Sequence, residues 1–81
     1  MNECKIDLII FIFDTGFSIS AFRFDEGYKI SISGVAPDIE RAFDKSYGSK
    51  VFGSINDVKI FISSFTEARV VKELIFWNIK E

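Results

Sequence analysis

The sequence predicts an α+β domain: an antiparallel sheet of three to four strands in the order β-β-β-α-α-β, with two helices packed on one face. Three observations carry this. Residues 5 to 34 are rich in Ile and Phe and are punctuated by two Asp-x-Gly turns; residues 37 to 65 place apolar side chains at helical spacings; and a further apolar run, Val70 to Ile79, follows them. At 81 residues the chain is read as one domain spanning 1–81. With 48% hydrophobic residues and a net charge of −2 it can bury a core, which argues against disorder.

The first strand runs from Lys5 to Phe13. It alternates at first, with Ile6, Leu8, Ile10 and Ile12 set against Lys5 and Asp7, then becomes apolar on both faces through Ile9, Phe11 and Phe13. A strand apolar on both faces belongs in the middle of a sheet. Asp14-Thr15-Gly16 and Asp25-Glu26-Gly27 each join an Asp suited to capping a type I turn to a Gly suited to the left-handed position of a bulged three-residue hairpin. In the second strand Phe17 and Ile19 fall on one face while Phe22 and Phe24 fall on the other. Either a bulge near Ala21 resets the phase or both faces are partly covered. The third strand sets Tyr28, Ile30 and Ile32 against Lys29, Ser31 and Ser33, the pattern of a sheet with one wet face.

Pro37 suits the first helical turn, where its missing N–H has no intrahelical partner, and Asp38 and Glu40 complement the helix dipole there. Ile39, Ala42 and Phe43 form the apolar stripe of this first helix. A loop between Gly48 and Gly53 leads to Ser54-Ile55-Asn56-Asp57, a capping box with Asp in place of Glu. The second helix then presents Ile55, Val58, Phe61, Ile62 and Phe65 as one continuous stripe. Arg69 to Ile79 is assigned as a strand returning beside the meander. Val70, Val71, Leu74, Ile75 and Asn78 also fit a helical face.

Composition argues against several classes of function. The chain has no His and one Cys, so a His-activated nucleophile, an internal disulfide and a zinc site all lack their parts. Cys4 is read as structural, and a lone thiol suits a reducing cytoplasm. Asp14 and Asp25 are read as turn caps rather than catalytic acids, since the meander sends the two hairpin loops to opposite ends of the sheet. Glu26 beside Asp25 is a weak cation site. No phosphate-cradling glycine loop occurs, so no cofactor is expected. Ten basic residues interspersed among twelve acidic ones offer no footprint for nucleic acid, and Ile6 to Phe13 is too short and too closely flanked by charge to span a membrane. Cytoplasmic residence is the expectation.

What remains is aromatic surface. Ten Phe, two Tyr and one Trp are more than one small interior needs, and helices on one face leave the other open. That open face is expected to carry some of Ile9, Phe11, Phe13, Phe22, Phe24 and Trp77 unless the helices and the Tyr47 to Phe52 loop wrap further. Exposed apolar patches mark interfaces. Phe22, Phe24, Tyr47 in the inter-helix loop and Trp77 near the chain end are the candidate protein-binding residues. The expectation is therefore a non-enzymatic interaction module that binds and blocks a larger protein or complex, as inhibitor, immunity or phage-encoded anti-defence proteins do. The alternative is an obligate homo-oligomer, at its simplest a homodimer, enclosing a small apolar ligand as an accessory subunit or rudimentary enzyme.

Overall fold

The structure, a computed structural model, describes residues 6–25 and 27–77. Its elements are β1 (Ile6–Phe13), β2 (Ser18–Phe24), β3 (Gly27–Ser33), α1 (Pro37–Tyr47), α2 (Ile55–Phe65) and β4 (Val70–Trp77). The strands form one antiparallel sheet in the order β3-β2-β1-β4. The domain is α+β, with the element order expected from sequence. β1 lies inside the sheet, as its apolar run predicts, but only one of its two faces is buried.

The final segment is a strand because it pairs with β1 from Ile6 opposite Trp77 to Phe13 opposite Val70. Asn78 and Ile79, assigned to that strand from sequence, lie outside the described residues, as do Cys4 and Glu26.

β2 keeps its phase. Its pairing with β3 runs from Ser18 opposite Ser33 to Phe24 opposite Gly27 without a register shift, so there is no bulge at Ala21. Neither alternative the sequence left open holds as stated: the phase is not reset, and the Phe22–Phe24 face is left uncovered by the helices. Ile19 and Ala21 point toward the helices, and Phe22 and Phe24 point away from the buried layer.

The first hairpin follows the sequence. The Gly16 N–H donates to the Phe13 carbonyl at 3.0 Å, the Phe13 N–H donates to the Phe17 carbonyl at 2.9 Å, and Gly16 sits at φ +103°. The second hairpin does not. Phe24 pairs directly with Gly27, and the left-handed residue is Asp25 at φ 51°, a conformation Asp tolerates better than most side chains. Gly27 is needed for a different reason. A Cβ there would lie 2.7 Å from the Phe52 carbonyl oxygen, because the Val51–Phe52 segment crosses close beside it. Asp14 also departs from the turn-cap reading: its Oδ1 accepts from the Arg69 N–H at 3.3 Å while its own N–H donates to the Arg69 carbonyl at 2.8 Å. It ties the first hairpin loop to the start of β4.

The core is a single layer between one sheet face and the helices. Ile9, Phe11, Phe13, Ile19, Ala21, Ile30 and Ile32 meet Phe43, Phe52, Val58 and Ile62, with no buried polar residue among those described. Of the six residues from which the open face was expected to draw, Ile9, Phe11 and Phe13 are at most 2% exposed and belong to the core. Register decides this, since Ile9 lies opposite Ala21 and Phe11 opposite Ile19. The Ser54 hydroxyl accepts from the Asp57 N–H at 3.2 Å, so α2 begins with the expected cap, and Val58 and Ile62 of its stripe are buried. The α1 stripe is thinner than expected. Only Phe43 is buried and Ile39 and Ala42 are exposed, because α1 packs against the edge strand β3 and meets the sheet along a narrow line.

Candidate protein-binding surface

Alternation along β1 sends Leu8, Ile10 and Ile12 to the face opposite Ile9, Phe11 and Phe13. Cross-strand register then builds rows on that open face. Leu8 stands between Phe22 of β2 and Phe76 of β4, Ile10 between Ser20 and Leu74, and Ile12 between Ser18 and Lys72. Phe24 extends the patch beyond Phe22, with the Lys29 ammonium 4.1 Å from its ring centroid. Leu8, Ile10, Ile12 and Leu74 are half-buried by their neighbours, whereas Phe22, Phe24 and Phe76 remain 39%, 43% and 50% exposed.

The open face is divided. Apolar side chains run across β4, β1 and the Phe22–Phe24 end of β2, while Ser18 opposite Ser33 and Ser20 opposite Ser31 supply a hydroxyl-bearing corner. Such a surface combines apolar area with hydroxyl donors and acceptors.

The four sequence-predicted residues separate in space. Phe22 and Phe24 lie together on the open face. Trp77 alternates from Ile75 onto the helix side, opposite Ile6 where the β1 register shifts, and is 50% exposed because no helix reaches it. Tyr47 is not in a loop: it is the last residue of α1, and its ring packs 5.1 Å from Phe43 and 5.0 Å from Phe61 in an aromatic seam between the helices. That half-buried position gives it a packing role.

Sequence reasoning missed Phe76, Leu74, Leu8 and Ile10 as members of the face. The signal was present in β3, where Lys29, Ser31 and Ser33 mark the wet side. Carrying that side across β2 to β1 selects the even-numbered residues.

The two edges of the sheet are finished differently. On the β3 side the Tyr28 N–H donates to the Phe52 carbonyl at 2.7 Å and the Phe52 N–H donates back at 2.8 Å, a one-residue bridge that blunts the edge. No described segment pairs with the outer side of β4, and every residue of β4 except Leu74 is exposed. Between β4 and α2 lies a groove of about 420 Å³ floored by Phe11 and Ile62 and rimmed by Lys59, Arg69 and Glu73. Among the described residues no group of three or more His, Cys, Asp or Glu gathers where a metal could sit, and no helix is long and apolar enough to cross a membrane.

No protein-family model matches the chain, and no curated protein and no solved structure matches it.

Proposed function

We propose that the chain is a non-enzymatic protein–protein interaction module that binds a larger protein or complex through the open face of its sheet and blocks the surface it covers. The observation that supports this is the contiguous apolar face formed by Leu8, Ile10, Phe22, Phe24, Leu74 and Phe76, left uncovered by both helices. At about 200 Å² per Phe and roughly 25 cal/mol per Å², covering the exposed parts of the three Phe rings contributes on the order of 7 kcal/mol before the costs of association. A chain without a single His suits occlusion of a partner better than turnover of a substrate.

The homo-oligomer enclosing an apolar ligand finds weaker support, since a ligand in the groove beside β4 would meet the charged rim of Lys59, Arg69 and Glu73. Capture from a lysate of the source cell tests the first reading. Tagged wild-type chain and the triple variant Phe22→Ser, Phe24→Ser and Phe76→Ser are compared by quantitative mass spectrometry, with circular dichroism confirming that both are folded. At least one protein is expected to fall ten-fold or more with the variant; recovery of the same proteins in equal amounts would remove the open face as the binding surface.

A further inference from the structure

The outer edge of β4 carries an inference that shares Leu74 and Phe76 with the open face but does not rest on its binding a partner. Eight residues, Val70-Val71-Lys72-Glu73-Leu74-Ile75-Phe76-Trp77, run without Pro or Gly, with Val71 63% and Trp77 50% exposed, and neither helix extends over them. A long apolar edge of this kind is a template for another strand, and natural sheets blunt such edges. Among the described residues a bridge from Phe52 blunts β3, whereas the outer side of β4 is guarded only by Lys72, Glu73 and the register shift beside Val71. We propose that β4 pairs antiparallel with β4 of a second copy about a two-fold axis perpendicular to the sheet.

Symmetry and charge select the register. That axis keeps each copy's open face on the same side, so only residues of the same face can lie opposite one another. The strand is centred between Glu73 and Leu74. Placing Lys72 or Glu73 on the axis sets it against its own copy, and like charges directly opposite are destabilising. Placing Leu74 on the axis avoids both. Lys72 of one copy then lies opposite Phe76 of the other, a cation over an aromatic ring, Glu73 lies opposite Ile75, and Val71 opposite Trp77.

The exposed parts of Val71, Ile75, Phe76 and Trp77 amount to on the order of 350 Å² per copy at about 200 Å² for a fully exposed aromatic ring. Over two copies this is at most about 700 Å² of side chain besides the newly paired main chain, below the roughly 1,000 Å² at which specific interfaces begin. The dimer is accordingly concentration-dependent, and it presents two open faces side by side on one eight-stranded sheet.

Sedimentation equilibrium over a wide concentration range is expected to show the mass rising from 9.3 kDa toward twice that value. In a Cys4→Ser background, Leu74→Cys is expected to form an intermolecular disulfide at least ten-fold more efficiently than Glu73→Cys or Lys72→Cys. If Leu74→Cys loses its native circular dichroism, Val71→Cys combined with Trp77→Cys reads the same register through exposed positions. A constant monomer mass, or a dimer that crosslinks best through residue 72 or 73 or through none of these, would overturn the pairing while leaving partner capture by the open face unaffected.

Discussion

The two faces of the sheet carry nearly the same kinds of side chain and have opposite fates. On one, Ile9, Phe11, Phe13 and Ile19 are at most 2% exposed beneath Val58 and Ile62. On the other, Leu8, Ile10, Phe22 and Phe76 alternate with them along the same strands and have no helix above. Apolar character alone therefore does not make a core. What makes it is the second layer, and two eleven-residue helices provide only enough area for one side. The uncovered side is apolar beyond anything the fold requires of it, and that surplus is what the proposed binding function uses.

Changes that attack the core face sharpen this contrast most. Phe11→Ala is expected to cost about 3–5 kcal/mol, most of the stability of a domain this small, because the ring is almost fully buried and its cavity cannot be refilled from solvent. Urea unfolding of the variant measures it. Gly27→Ala comes next. The new Cβ would press on the Phe52 carbonyl and open the bridge to Tyr28, at a cost of about 1–3 kcal/mol in the same assay.

Ser54→Ala removes the hydroxyl that accepts from the Asp57 N–H and is expected to lower stability by about 1 kcal/mol, a fall in Tm of about 4–8 °C by calorimetry. The other face gives the counterpart. Phe22→Ser, at a 39% exposed ring, is expected to cost about 1–2 kcal/mol in urea unfolding, less than half the loss for Phe11→Ala, and the same residue is expected to matter for binding. A loss there as large as that for Phe11→Ala would mean that the faces do not differ.

Much of the fold was legible because local rules and tertiary structure agreed. Asp14-Thr15-Gly16 forms its hairpin with Gly16 left-handed, Pro37 opens α1, and Ser54 caps α2. The misreadings arose where a long-range neighbour decided the outcome. Gly27 looked like a turn glycine, but the passing Phe52 main chain is what requires it. Asp14 looked like a turn cap, but its carboxylate accepts from the main-chain N–H of Arg69, 55 residues away.

The site was legible in part for the same reason. Phe22 and Phe24 stood out as aromatics out of phase with Ile19, and they lie on the open face. Phe76 joins them only through register, by lying across Leu8 from Phe22, and no local pattern announces which side of β4 it takes. Tyr47 was read as a loop residue because Gly48 follows it; helix α1 extends through it and packs its ring against Phe43 and Phe61.

The difference between the faces can be measured in solution on the isolated chain. With a soluble paramagnetic probe, NMR relaxation is read at the side-chain protons of Leu8, Ile10, Phe22 and Phe76 and compared with that at Ile9, Phe11, Ile19 and Val58. Strong relaxation of the first set with little effect on the second is the predicted result. Equal protection of both sets would contradict it, since the face proposed to bind a partner would then already be covered.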